Sequence, residues 1–175
     1  MSDKPVEGIR IYGDPVLRKK SRKVDTLDAK VRELVDKMII VLKKAKGIGL
    51  SAPQIGENLK IFVLEEKFLT GIEGVKVFIN PSITEKTGKY LDEEGCLSFP
   101  DIIASIERAQ SVKVKATDLD GNNFEMVVSD LYARAIQHEN DHLEGVLIVD
   151  YLSPLRKTLL SRKLRKLAQG VCNES

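Results

Sequence analysis

The stretch Gln137-His138-Glu139-Asn140-Asp141-His142 contains both histidines of the chain, four positions apart. On a helix, this spacing places the two imidazoles on one face, about 6 Å apart along the axis. Two such nitrogens can hold one transition-metal ion at about 2.0–2.1 Å each. Glu139 lies between them, close enough to reach a water on the metal without binding the ion itself. This H-E-x-x-H pattern is typical of metal-dependent hydrolases, although two structural histidines are the simpler alternative.

Length and composition indicate one soluble domain spanning residues 1–175. The fractions of 42% hydrophobic and 31% charged residues are ordinary for a globular protein, and the net charge of +2 is too small to indicate DNA binding. No apolar run approaches the roughly 18 residues that a membrane span needs, and no secretory signal is visible. Two cysteines make no disulfide framework. We therefore expect a cytoplasmic protein with reduced thiols and no membrane partner.

The hydrophobic pattern predicts helices separated by short strands. Apolar residues at spacings of three and four predict a helix from Thr26 to Gly47. Ser129 is the predicted N-cap of the helix that carries the histidines, which ends near Glu144 before Gly145. Strands are predicted at Lys60–Leu64, Val75–Ile79, Ser111–Thr117, Phe124–Val128 and Val146–Val149, with a hairpin turn at Asp118–Gly121.

A final helix is predicted over about residues 154–168, with Ser153 as its N-cap and Pro154 as its first residue. Leucines form its predicted apolar side: Leu155, Leu159, Leu160, Leu164 and Leu167. Its other side is basic: Arg156, Lys157, Arg162, Lys163, Arg165 and Lys166. Such a charged face is usually only solvated.

The histidine pair needs a third ligand, because a catalytic metal site has three protein ligands and one open position. Ile148 occupies the third histidine position of the metzincin pattern and cannot ligate. Asp150 is a poorly placed acid, and Cys172 lies close to the chain end. Cys96 follows Gly95, which frees the backbone, and we predict that it is the third ligand. The alternative for a lone cysteine is a small core residue.

Three segments resemble the motifs of the peptide deformylase family, in the right order and with fitting separations: Gly47–Gln54, Glu94–Ser98 and Gln137–Gly145. The family motifs are G-φ-G-φ-A-A-x-Q, E-G-C-φ-S and Q-H-E-x-D-H-L-x-G, where φ is an apolar residue. The segment Ile11–Ser21 is also similar, so the likeness covers roughly residues 9–150. Ser51 is the one departure. It replaces the first alanine of the first motif and adds a hydroxyl that needs a partner.

The resemblance implies a single-domain α+β fold, with mostly antiparallel β-sheets around a central metal-binding H-E-x-x-H helix and with an N-terminal and a C-terminal helix. It also implies the reaction, which is hydrolytic removal of the N-formyl group from the N-terminal formyl-methionine of newly made polypeptides. By the same resemblance, Cys96, His138 and His142 bind one divalent metal. Fe(II) is expected, with Zn, Ni or Co as substitutes.

The resemblance assigns roles that the chemistry of the residues supports. Glu139 is expected to act as general acid and base, with metal-bound water as the nucleophile. The side chain of Gln54 and the backbone N–H of Leu97 are expected to donate to the oxyanion. Glu94 and Arg134 are expected to support these groups.

The substrate peptide is expected to lie extended along Ile48 and Gly49, as an added strand, with Gly95 also in contact. Its methionine side chain needs an apolar pocket beside His138. Ile48, Leu131 and Ala135 are the predicted lining residues.

Two other functions fit the sequence less well. A metalloendopeptidase would use the same helix but would cut internal peptide bonds. A non-catalytic, metal-stabilised module that binds RNA or the ribosome through the basic helix would be indifferent to loss of Glu139. Its structural metal site would normally be closed by four ligands, and we find only three. We expect a monomer whose basic C-terminal helix docks on the ribosome.

Overall fold

The helix that carries both histidines, α3 (Asp130–Leu143), lies at the centre of the computed structural model, which describes residues 6–172. Ten of its 14 residues are buried. A helix that is buried on nearly all sides belongs to a core. Ser129 is its N-cap as predicted, and Gly145, in the left-handed conformation at φ +75°, follows its C-terminal end.

Seven strands form two antiparallel sheets around this helix. Their bounds are β1 Gly49–Ser51, β2 Ile61–Glu65, β3 Val75–Thr87, β4 Tyr90–Cys96, β5 Phe99–Arg108, β6 Ser111–Thr117 and β7 Asn123–Ser129. The larger sheet has the order β1-β2-β3-β6-β7, and β4 pairs with β5 in a separate hairpin. The predicted α+β fold with antiparallel sheets around the H-E-x-x-H helix is therefore confirmed.

The N-terminal helix, α1 (Ala29–Ala45), begins three residues later than predicted. Asp28 is its N-cap, and the Asp28 side chain accepts a hydrogen bond from the backbone N–H of Val31. At the other end, Lys46 takes the left-handed conformation and ends the helix one residue before Gly47. The apolar face of α1 packs against the part of the core that contains β1 and β2. A short helix, α2 (Glu66–Thr70), follows β2.

Three strands escaped the sequence analysis (β1, β4 and β5), β3 extends beyond its predicted end at Ile79, and one predicted strand is wrong. Strand β4 is largely exposed and acidic, so it lacks the apolar alternation of a half-buried strand. In β5, by contrast, alternate residues from Ile102 to Arg108 are buried, which was a readable signal. The predicted strand Val146–Val149 is instead a loop that leads into a 3₁₀ turn, Ile148–Tyr151. The Asp150 side chain closes this turn by accepting from the N–H of Leu147.

The C-terminal helix, α4 (Pro154–Cys172), starts where predicted, with the N–H of Arg156 donating to the Ser153 hydroxyl. Its apolar side is narrower than predicted, because Leu155 and Leu159 are 71% and 68% exposed. The other predicted leucines pack against the core: Leu160, Leu164 and Leu167. Within the described residues, no helix combines the length and the apolar character that crossing a membrane requires.

Candidate active site

Gly49 brings the backbone of β1 against the central helix. A Cβ atom placed at Gly49 would lie 2.5 Å from Oε1 of Glu139 and 2.7 Å from Cδ2 of Leu64. Real Cβ atoms do not approach other atoms this closely, so a side chain at Gly49 would require the ends of the Glu139 and Leu64 side chains to move. Glu139 is therefore the group that the backbone of β1 approaches at Gly49.

Cys96, at the end of β4, joins His138 and His142 of α3 in one cluster. One ligand atom from each residue can be chosen so that all three lie within 4.8 Å of one another. Sγ of Cys96 lies 3.3 Å from Nε2 of His142, and the two imidazole rings are 5.1 Å apart. A thiolate with two imidazoles suits a transition metal and leaves a tetrahedral ion one open position.

Glu94 holds the first histidine of the cluster in place. Its Oε2 lies 2.9 Å from Nδ1 of His138, which leaves Nε2 of that ring for the cluster. Arg108 donates to both oxygens of Glu94, at 2.5 and 2.9 Å, and Arg134 donates to Oε1 at 2.6 Å. Burial alone would raise the pKa of Glu94, but the hydrogen bonds from His138 and Arg108 lower it to about 2. The predicted supporting residues Glu94 and Arg134 therefore contact each other.

A further layer of this network was missed from the sequence. Arg108 also donates to Asp141 at 2.8 Å, and the hydroxyl of Tyr151 donates to the same carboxylate oxygen at 2.7 Å. Arg108 lies in the unpredicted strand β5, 14 positions from Glu94. Its place in the burial pattern of β5, as a charged residue on the inward face, was the signal that could have identified it.

The pKa values of the two histidines shift in opposite directions. Burial opposes the charge on His138, but the hydrogen bonds with Cys96 and Glu94 raise its pKa well above the usual value. Burial, together with the nearby charge of His138, lowers the pKa of His142 well below it. Nδ1 of His142 has no hydrogen-bond partner among the described residues. Metal binding competes with protons for such nitrogens, so the affinity of this cluster for a metal depends on pH.

Glu139 is buried beside the cluster without being one of its ligands. Burial dominates its environment and raises the pKa of its carboxyl group to about 7, against the opposing charges of His138 and Arg108. Its Oε2 has no hydrogen-bond partner within residues 6–172. A carboxyl group with this pKa can both accept and return a proton near neutral pH.

Gln54 reaches the cluster from a 3₁₀ turn, Ala52–Ile55, that follows β1. Its Nε2 lies 3.6 Å from Sγ of Cys96 and 3.3 Å from the hydroxyl of Ser98. Its Oε1 accepts from both the backbone N–H and the hydroxyl of Ser51, at 2.9 Å each. The Ser51 hydroxyl, which the sequence analysis expected to need a partner, therefore has one in Oε1 of Gln54.

The remaining predicted residues lie around this centre. Leu97 is partly buried in the turn between β4 and β5, directly after Cys96, and Gly95 is exposed in β4. Ile48 is half-buried immediately before β1, which is an edge strand of the larger sheet. On α3, Ala135 is 9% exposed but Leu131 is 45% exposed. The side chain of Cys172 lies outside the described part of the chain.

Fold and site together define a metal-dependent hydrolase built on an H-E-x-x-H helix. Comparison with known proteins supports this class. The family model for polypeptide deformylase matches residues 6–158. The peptide deformylase of Mesorhizobium japonicum is 43% identical over 166 residues, which cover 94% of each chain. The peptide deformylase of Dictyoglomus turgidum is 47% identical over 142 residues, 81% of this chain and 90% of the relative.

Solved structures show the same likeness. Peptide deformylase 1B of Arabidopsis thaliana, crystallised with an inhibitor, has a TM-score of 0.87 and 39% identity, over 95% of this chain and 93% of the relative. The peptide deformylase of Legionella pneumophila has a TM-score of 0.85 and 38% identity, over 94% and 96%. The chain therefore belongs to the polypeptide deformylase family. The predicted family and the predicted metal-dependent deformylase activity are confirmed, and the endopeptidase and RNA-binding alternatives are not supported.

Proposed function

We propose that this chain removes the N-formyl group of formyl-methionyl polypeptides with Glu139 as general acid and base. The observation that carries this proposal is that Glu139 directly follows His138 of the Cys96–His138–His142 cluster in α3, and that its buried Oε2 has no hydrogen-bond partner among the described residues. Glu139 accepts a proton from the attacking water and then returns it to the departing amine. A divalent metal would be held by Cys96, His138 and His142, and it would acidify a water molecule and polarise the formyl carbonyl.

Gln54 and Leu97 supply hydrogen bonds to the negative oxygen of the tetrahedral intermediate. The Nε2 group of Gln54 is directed at the sulfur of Cys96, which places its N–H groups beside the metal cluster. The backbone N–H of Leu97 follows Cys96 directly in the chain. Donors held in a buried site need no reorganisation during the reaction, which is why such groups stabilise an oxyanion strongly.

The substrate peptide pairs with the free edge of β1. Gly49 is the first residue of this edge and Ile48 directly precedes it. Gly95 of β4 directly precedes Cys96 in the chain. An extended peptide added to an edge strand gains backbone hydrogen bonds without requiring a particular sequence. Ile48, Leu131 and Ala135 receive the methionine side chain, and the exposure of Leu131 fits a pocket that opens to solvent.

The test of this assignment compares the two cysteines of the chain. Cys96→Ala should lose both metal and hydrolysis of a short formyl-methionyl peptide, whereas the control Cys172→Ser should keep both. The same proteins are also assayed with an acetyl-methionyl peptide and with a blocked peptide in which only internal bonds can be cleaved. Equal metal content in the wild type and Cys96→Ala would overturn the three-ligand assignment, and cleavage of the blocked peptide would favour an endopeptidase.

The native metal is proposed to be Fe(II), with Zn, Ni and Co as substitutes. A cluster of one thiolate and two imidazoles accepts all four ions, so the donors alone do not select among them. Fe(II) beside a thiolate is sensitive to oxidation. Protein purified without oxygen should therefore contain iron, lose activity in air, and regain it after nickel substitution. Full activity with zinc and stability in air would contradict this proposal.

The protein is proposed to act as a cytoplasmic monomer that docks on the ribosome through α4. The basic residues of this helix are mostly exposed, and the exposed leucines Leu155 and Leu159 add apolar surface beside them. Shortening the chain before Arg156 should weaken co-sedimentation with ribosomes in a salt-dependent way. Hydrolysis of a short formyl-peptide by the shortened protein is the control, and unchanged co-sedimentation would mean that the face is only solvated.

A further inference from the structure

Position 51 carries a hydroxyl in the middle of the active-site segment. Ser51 is completely buried, at 0% exposure, in the last position of β1. The family motif has alanine at this position. A buried hydroxyl without a partner destabilises the folded state, so the serine must contribute a hydrogen bond to be tolerated.

The partner of this hydroxyl is the side-chain oxygen of Gln54. Oγ of Ser51 and the backbone N–H of the same residue both donate to Oε1 of Gln54, at 2.9 Å each. These two donors occupy the oxygen end of the amide. The nitrogen end is thereby directed towards Sγ of Cys96 and the hydroxyl of Ser98.

This arrangement discriminates between the two orientations of the Gln54 amide. A rotation of the amide by 180° would place its N–H groups against the Ser51 backbone donor and its oxygen against the sulfur of Cys96. Both contacts would be unfavourable, since donor would face donor and acceptor would face acceptor. With alanine at position 51, the backbone N–H would be the sole donor from that residue to hold the oxygen end.

Ser51 also lies close enough to Glu139 to affect that carboxyl group. Burial dominates the pKa of Glu139, but an interaction with the Ser51 side chain is one of the effects that lower it. Two routes of action follow from this position, one through Gln54 and one through Glu139, and the hydrogen-bond geometry favours the first.

We propose that Ser51 is a positioning residue that fixes the side-chain amide of Gln54 with its N–H groups towards the reacting centre. This inference rests on the proposed role of Gln54 as an oxyanion donor. It assigns a purpose to the serine that stands where the family motif has alanine. Its effect belongs to the transition state and the tetrahedral intermediate, because the bound substrate carries no oxyanion.

The first measurement is the kinetics of Ser51→Ala on a formyl-methionyl peptide. We expect kcat to fall about 3- to 10-fold, the fold-change that one hydrogen bond of average net strength corresponds to. KM and metal content should not change, because neither substrate binding nor the ligand residues are altered. Ser51→Thr and Ser51→Val form a matched pair of equal shape, of which only threonine keeps the hydroxyl. Threonine should therefore exceed valine in kcat.

A double-mutant cycle identifies the route of action. If Ser51 acts through Gln54, Ser51→Ala should have little further effect in a Gln54→Ala background. An equal loss of kcat in both backgrounds would overturn the inference, and so would a wild-type kcat in Ser51→Ala. If Gln54→Ala itself keeps full kcat, the oxyanion role of Gln54 fails, and the positioning role falls with it. The two failures are therefore distinguishable.

A direct readout is the NMR signal of the Gln54 side-chain amide in zinc-substituted, ¹⁵N-labelled protein. In the wild type, a fixed amide should give one sharp pair of N–H signals. In Ser51→Ala, the same pair should broaden or move, whereas a glutamine on the surface, Gln110, supplies the reference. Identical Gln54 signals in both proteins would contradict the positioning role.

Discussion

Glu94 in β4 and Glu139 in α3 are two buried glutamates beside the same Cys–His–His cluster, and their pKa values shift in opposite directions. They are 6% and 4% exposed. Two arginines and one histidine contact the carboxylate of Glu94. Against the effect of burial, the contacts with His138 and Arg108 lower its pKa to about 2. Glu139 lacks a partner on Oε2 among the described residues, and burial raises its pKa to about 7.

The difference teaches that donors, rather than burial, set the task of a carboxyl group in this site. Burial favours the neutral form of both residues. Only at Glu94 do enough positive partners reverse this effect, so Glu94 remains a fixed negative charge that orients His138. Glu139, which has few partners, remains free to exchange a proton. One site thus contains a structural carboxylate and a reactive one.

Glu139→Gln should show the largest effect on activity. The change keeps the size of the side chain and removes the group that accepts and returns the proton. General acid–base catalysis contributes about 10²–10⁴-fold, so kcat should fall by at least that factor while KM changes little. Steady-state kinetics with metal analysis of the same sample is the measurement. A fully metallated variant with near wild-type kcat would falsify the assigned role of Glu139.

Glu94→Gln should act on stability and metal binding instead. Its new amide would place N–H groups among arginine and histidine donors and would remove the charge that they require. Leaving buried charges unpaired in this way costs about 3–5 kcal/mol, and loss of a support for a metal-binding histidine weakens metal affinity about 10–100-fold. Denaturant unfolding and competition with a chelator measure the two effects. If Glu94→Gln retained wild-type stability and metal affinity, the contrast between the two glutamates would be lost.

The two arginines around Glu94 should differ in importance. Arg108 forms two bonds with Glu94 and one with Asp141, whereas Arg134 forms one bond with Glu94 and two with backbone carbonyls. Lysine cannot reproduce the planar, forked geometry. We expect Arg108→Lys to lower the free energy of unfolding by about 1.5–3 kcal/mol, more than Arg134→Lys, since bonds to charged groups are stronger. Equal losses in denaturant unfolding would show that the bonds to carboxylates are not special here.

Glu144 is a carboxylate near the surface that, like Glu94, is paired with basic side chains. Its substitution should have the smallest effect on stability of the changes considered. Lys20 and Lys60 contact it at 2.7 and 2.6 Å and, against partial burial, lower its pKa. A depressed folded-state pKa stabilises the protein above the unfolded pKa, and this contribution disappears as the pH falls through the folded value. Glu144→Gln should therefore cost up to about 1 kcal/mol at pH 7. Urea unfolding should show no such difference once the pH lies below the folded-state pKa, and a cost that persisted there would exclude an ionic origin.

The sequence was sufficient where a pattern is local. The helix that carries the histidines, the turn at Asp118–Gly121 and the strand Ser111–Thr117 all follow from spacing, capping and alternation within a few residues. The order of the three motifs then indicated the resemblance to peptide deformylases, which implies that Cys96 lies beside the histidines of the distant helix. Strand β4 could not be predicted in this way, because its exposed acidic residues are typical of a loop.

The contrast between Glu94 and Glu139 was not predictable from the sequence. Glu139 directly follows the ligand residue His138, and Glu94 lies two positions before Cys96. The partners that give the two carboxyl groups different pKa values come from elsewhere in the chain. Arg108 reaches Glu94 because β4 and β5 pair in one register, in which Glu94 lies opposite Ala104. Such a partner becomes visible only when the pairing of the strands is known.

The close approach of Gly49 to Glu139 has a consequence for drug resistance. An inhibitor that binds the backbone of β1 at this position contacts atoms that no substitution can remove. A side chain at Gly49 could obstruct such a compound, but its Cβ atom would also occupy the space of the Glu139 carboxyl group and of Leu64. Escape from the inhibitor by mutation at this residue would therefore displace Glu139, the proposed general acid and base, and we expect the resistant enzyme to lose catalytic activity.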